Sequence, residues 1–241
     1  MRVVNPEELD VTTTASRARL DRRRVLEAAL SLVDGEGLEA LTMRRLGVEL
    51  GVDPMTVQYH VQSKDRLLDG IAGLLWERVA LPQDSTGPAE ALRTLARSLR
   101  DLFRRHPQAA PLLLRCAALP RSELELFRAY LDVLDAGGLR ESAAVLRPVL
   151  SYAVGYGYAE RSMLGVQCGP DQRQALSDRE VLLYLGRALP PATPPELASA
   201  AVAMIADCDP DRCFEEGLEL MLAGLTASLG TSRNGRSHDR A

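Results

Sequence analysis

Apolar residues along this chain recur at intervals of three and four almost throughout, the period of an amphipathic helix. Alternating β-branched runs are absent, and Ala, Leu, Arg and Glu dominate. The pattern predicts an all-α protein. A first helix runs from Ser16 or Arg17 to Asp34, with Leu20, Val25, Leu26, Ala29, Leu30 and Val33 on its apolar face. The glycines of "DGEG" (34–37) suit its left-handed end. A short helix follows over Met43–Leu50, with Thr42 as N-cap and Gly51 as its stop. The next begins at Asp53-Pro54, an acidic cap followed by proline at the first helical position, and runs to Val61. A longer helix, capped by Ser63, extends to Ala80.

A Pro/Gly-bearing break over 81–88 separates this block from the rest. Beyond it the periodicity predicts helices over Ala89–His106, Pro107–Ala117, Ser122–Ala136, Glu141–Gly165, Ser177–Leu189, Pro194–Ala206 and Pro210–Leu229. The expected layout is an arm over 1–15, a three-helix unit over 16–62, a larger helical domain over 63–229 and a disordered polar tail over 230–241.

Helix, glycine turn and short helix from Thr42 to Val61 form a helix-turn-helix candidate. In such a unit one face of the second helix packs inward and the other meets the major groove. Val52, Val57 and His60 or Val61 fall inward. Pro54, Met55, Thr56, Gln58 and Tyr59 fall outward. Arg44 and Arg45 start the preceding helix and can reach the same groove, where the arginine fork suits guanine. Composition refines this reading. Net charge is -4, which argues against a protein that coats nucleic acid, yet "SRARLDRRR" (16–24) carries five arginines against one aspartate. A local basic patch on an acidic chain fits a modular binder. Lys64 is the only lysine beside 28 arginines.

"RRRVLEAALSLVDGEGLEALTMRRLGVELGVDPMTVQYHVQSKDRLLDGI" (22–71) resembles the DNA-binding domain of the tetracycline-repressor (TetR) family. The ordered cues "LT-RRL", "LGV", "YHV" and "SK--LL" carry the likeness and lean toward the family's tetracycline-binding branch. "FRRHPQAAPLL", "LSYAVGYGYAE" and "CFEEGLELMLAGLTASL" resemble that branch's signal-receiving and dimerising helices. The resemblance implies DNA contacts at Thr42, Met43, Arg44, Thr56, Gln58, Tyr59 and Lys64, with Arg44 reading a base and Thr56 and Lys64 holding phosphates. Gln58 departs from the family's usual aromatic, so operator preference need not follow that of relatives. A histidine matching His106 helps hold a metal–drug complex in that branch. Here proline follows it, and Leu164 stands near the place of the expected carboxylate, so no metal site is expected.

The family layout implies a homodimer joined by a four-helix bundle, with Leu150, Val154, Phe214, Leu218, Met221, Leu222 and Leu225 at the contact. It also implies an effector pocket from Trp76, Phe103, His106, Leu113, Leu114, Phe127, Tyr130, Tyr152, Tyr156 and Met163. The implied function is a ligand-responsive repressor that binds a palindromic double-stranded DNA operator and is released by a small molecule. The alternative is a small-molecule sensor or sequestering protein without a defined operator.

No GxSxG, P-loop, HExxH or dinucleotide fingerprint occurs, so no catalytic residue or cofactor is expected. The four cysteines form no CxxC. No apolar run is long enough to span a membrane, and the N-terminus has no apolar leader core. A reduced, cytoplasmic setting is the expectation.

Overall fold

Local capping chemistry decides where the first helices start in the computed structural model, which describes residues 20–83, 86–115, 119–139, 141–162, 187, 189–206 and 209–231. The first helix, α1 (Arg22–Glu36), begins five or six residues later than expected. Asp21 is its N-cap, its side chain accepting from the Arg24 amide, which sets the helix start at Arg22. Helices α2 (Met43–Leu50), α3 (Pro54–Val61) and α4 (Lys64–Glu77) stand where the pattern places them. α4 stops three residues short of Ala80, with Arg78 as its cap.

α5 (Pro88–Arg105) ends at His106. The helix expected over 107–117 is instead a short 3-10 turn, Ala110–Leu114. Pro111 has no amide hydrogen to extend an α-helical ladder, and the amides of Ala109 and Ala110 both fold back to the His106 carbonyl. α6 (Arg121–Ala136), α7 (Ser142–Ser162), α8 (Pro195–Ala206) and α9 (Pro210–Thr231) complete the described elements. The expected helix over 177–189 lies mostly outside the described residues, as do the N-terminal arm and the polar tail. The described residues contain no strand.

Helices α1 to α3 pack around the first half of α4. Val25, Ala29, Val33, Leu41, Leu46, Val57, Val61, Leu67 and Ile71 are all at most 1% exposed. The second half of α4 carries Leu74, Leu75 and Trp76 against α6 and the 3-10 turn. α4 thus belongs to both halves, and the hydrophobic core runs through it without a break. No described helix is long and apolar enough to cross a membrane.

α5 and α7 make the most extensive helix contact. Gly157 allows it: a Cβ there would lie 2.8 Å from Cγ of Phe103. Gly157→Ala is expected to cost about 1–3 kcal/mol by overpacking, read as a lower unfolding midpoint. Phe103→Leu should recover part of that loss in the double variant, because the two changes share one contact. Full additivity would show that Phe103 is not what the methyl meets.

Candidate nucleic-acid interface

Two caps and one glycine shape the helix-turn-helix. Thr42 Oγ1 accepts from the Arg45 amide at 3.1 Å, and Asp53 Oδ1 from the Met55 amide at 2.8 Å. Gly51 sits in the left-handed region (φ 65°, ψ 34°), which ends α2 and turns the chain toward α3. Val57 and Val61 bury one side of α3 completely. The other side stands free: Met55 is 70% and Tyr59 83% exposed, and Thr56 and Gln58 are exposed with them. Met55 and Tyr59, four residues apart, leave apolar surface uncovered on one side of this helix. Pro54 and His60 are half-buried, and His60 meets the Tyr59 ring edge-on.

The two arginines opening α2 have different fates. Arg45 is tied to Glu36 at 2.5 Å and Glu49 at 3.2 Å. Its hydrogen bond holds the Glu36 carboxyl below the usual range. Arg44 is exposed and forms no ion pair with the described residues. It borders an open cleft of about 440 Å³ with Val48 and Gly51 on one side and Val52, Asp53 and Pro54 on the other. Met43 is half-buried and packs against the core, so its side chain supports α2 more than it reaches outward.

Lys64 is the first residue of α4 and is exposed. Ser63 Oγ accepts from the Arg66 amide and so caps the helix start beside Lys64. Neighbouring Asp65 is countered by Arg115 at 2.6 Å. The joint before Ser63 is strained: Gln62 has φ 68° and ψ −53°, and the Ser63 amide donates to the Val61 carbonyl at 2.8 Å. That is a γ-turn of the rarer hand, and it sharply redirects the chain between α3 and α4. From the basic run, Arg23 is spent on Glu27 and Glu77, while Arg17 and Arg19 lie outside the described residues.

The residues expected to line an effector pocket are mostly packed. Trp76 is 5% exposed and meets Phe127 edge-on, with ring centroids 5.6 Å apart. Tyr130 is fully buried and donates to the Ala80 carbonyl, and burial raises its phenol pKa. Tyr152 and Tyr156 donate to the carbonyls of Phe214 and Pro210. Phe103 and Leu113 are buried. Leu114 is 55% exposed at the end of the 3-10 turn, so it faces away from any interior site. Met163 lies outside the described residues. His106 is held by Asp34 and Arg78, and the described residues contain no cluster able to hold a metal ion.

The expected dimer residues divide as well. Phe214, Leu218 and Leu222 are 0–3% exposed within the single chain. They are spent on α5 and α7 and cannot form an outer contact face. Leu150, Val154 and Met221 are half-buried, and the Leu225 side chain lies outside what is described. Exposed positions on these helices include Ser151 and Gly155 on α7 and Glu216 and Leu220 on α9. Helical phase alone could have found Leu220, which is four residues after Glu216 and opposite the Phe214–Leu218–Leu222 stripe.

Residues 81–229 match the family model of the tetracyclin repressor-like C-terminal domain. The chain is 32% identical over 228 residues to the HTH-type transcriptional repressor DrrR1 of Streptomyces coeruleorubidus, covering 89% of this chain and 80% of that protein. It is 27% identical over 217 residues to the class D tetracycline repressor of Escherichia coli, covering 88% and 92%. Among solved structures it is similar to apo ActR from Streptomyces coelicolor, with a TM-score of 0.70 and 29% identity over 89% of this chain and 99% of that one. ActR in complex with actinorhodin aligns with a TM-score of 0.69 at 29% identity, over 88% and 100%. Together with the helix-turn-helix geometry, these matches establish that the chain belongs to the tetracycline-repressor family of transcriptional regulators.

Proposed function

We propose that the chain works as a homodimeric repressor that binds a palindromic operator through α3 and lets go when a small molecule binds the C-terminal domain. The observation that carries this reading is the exposed α3 face, with Met55, Thr56, Gln58 and Tyr59 uncovered between Arg44 and Lys64. A single such head reads few bases, so useful specificity calls for two, one helical turn or about 34–36 Å apart. Leu220 on α9, 77% exposed, is assigned to a two-fold contact between copies. The relative ActR has been seen with actinorhodin bound, which supports a small-molecule effector here.

Arg44, Gln58 and Tyr59 are assigned to choosing the sequence, and Thr56 and Lys64 to holding the backbone. A gel shift against the chain's own upstream DNA tests the whole reading. Sharp, salt-sensitive binding of a dimer to a palindrome is expected. Absence of binding at any salt would leave a sensor or sequestering protein in its place. Lys64→Ala is expected to weaken binding to all sequences alike and to lower the salt slope by about one unit per site. Lost selectivity with an unchanged slope would give Lys64 a base-reading role instead.

A further inference from the structure

Asp34, Arg78 and His106 come from three elements and meet where the two halves of the molecule join. Asp34 lies in the last turn of α1, Arg78 caps α4, and His106 caps α5. The His106 ring is bonded on both sides: Nδ1 is 2.7 Å from Asp34 Oδ2, and Nε2 is 2.8 Å from an Arg78 Nη. A guanidinium can only donate, so Nε2 must accept and therefore carries no hydrogen. The carboxylate accepts, so Nδ1 carries the proton. Only the neutral imidazole in its Nδ1–H form makes both bonds.

The main chain that carries the ring is fixed. The His106 amide donates to the Leu102 carbonyl at 2.8 Å, and the His106 carbonyl takes the amides of Ala109 and Ala110. The imidazole is 13% exposed, wedged in the joint. The charged groups facing it are Asp34 from α1 and Arg78 from α4. On its own helix, Arg104 turns to Glu160 and Asp211, and Arg105 is exposed. Asp34 Oδ1 is buried without a hydrogen-bond partner, so this carboxylate leans on its single bond to the ring.

We propose that these three residues form a protonation-sensitive latch between the DNA-reading head and the C-terminal domain, closed by neutral His106 and opened on its Arg78 side when the ring gains a second proton. A protonated ring donates from both nitrogens. Its Nε2–H then faces the N–H groups of Arg78, two like charges within hydrogen-bond distance, while the bond to Asp34 strengthens. Arg78 is exposed and can swing into solvent. The end of α4 then loses its tie to the end of α5 at His106 and keeps the Ala80 amide bond to Ser98 Oγ, further back along α5. α4 carries Lys64 at its other end and shares the head's core, so a loosened α4 moves the phosphate contact with it. His106 acts here as a positioning residue and touches no DNA.

The coupling to DNA rests on the repressor reading, so the test has one arm that does not. The first arm measures the imidazole ¹⁵N shifts, which are readily assigned because the chain has three histidines. The Nδ1–H tautomer is expected near pH 8, giving way to a mixture of tautomers in the double variant Asp34→Ala with Arg78→Ala, where neither partner selects one. The second arm measures affinity for the operator duplex from about pH 8 to about pH 5.5, the range in which imidazoles take up a proton. Wild type should lose about tenfold more affinity over that range than His106→Gln, which keeps a donor and an acceptor but does not titrate. His60 in α3 is present in both proteins, so its effect cancels in the ratio. Superimposable pH profiles in proteins that bind DNA would overturn the latch. An Nε2–H tautomer in the wild type would do the same. If no duplex binds at any pH, the repressor reading has failed, and the tautomer still decides whether the contact exists.

Discussion

Arg44→Ala is expected to weaken operator binding by about 2–6 kcal/mol, from about 1–3 kcal/mol for one bidentate base contact in each of two half-sites. The expectation comes from what its neighbour is doing. Arg45 has the same side chain one position on, but Glu36 and Glu49 both hold it. Arg44 is exposed at the edge of the helix-turn-helix cleft and makes no such pair among the described residues. The same substitution at Arg45 should therefore change stability little, as solvent-screened exposed ion pairs do, and leave DNA affinity nearly intact. Affinity would be measured at one salt concentration against operators substituted base by base. Arg44→Ala should relax the preference at a single symmetric position. An equal loss on every sequence, with a smaller salt slope, would show that Arg44 holds a phosphate and reads nothing.

How much of this was legible in the sequence follows the range of the forces involved. Thr42, Asp53 and Ser63 were readable as caps because a cap bonds an amide two or three residues away. Asp21 is the same kind of cap, but its cue was lost in a run of arginines that read equally well as a helix face. The γ-turn at Gln62 had no cue, since glutamine has no preference for positive φ and the turn is imposed by packing α3 and α4 on one core. The stripe Phe214–Leu218–Leu222 reads in the sequence as a dimer contact, because an apolar stripe needs cover. Periodicity cannot say whether α5 and α7 or a second chain supplies it, and here the chain's own helices do. The contacts of His106 lie 28 and 72 residues away and depend on three helix ends meeting, which no local pattern encodes.

The largest expected loss of stability belongs to a contact of this long-range kind. Arg100 is a 5%-exposed residue whose Nε and one Nη each lie 3.0 Å from the two oxygens of Glu160, sixty residues on. The same guanidinium reaches the Pro210 carbonyl at 2.7 Å and Asp211 at 2.9 Å, and stacks 4.5 Å from the Phe214 ring centroid. α5, α7 and the start of α9 are thus fastened at one point. Asp211, whose carboxyl the Arg104 hydrogen bond holds below its usual range, is 69% exposed in its side chain and screened by water. Glu160 is the buried counter-charge. Glu160→Ala leaves Arg100 desolvated without it, and the expected cost is about 3 kcal/mol. For a chain of this size that lowers the unfolding midpoint by roughly 6–12 °C. The pair Arg100→Met with Glu160→Leu should recover most of the loss, because what destabilises is the uncompensated buried charge. A double variant as unstable as Glu160→Ala would show that the network acts through its specific bonds to α9 and not through charge balance.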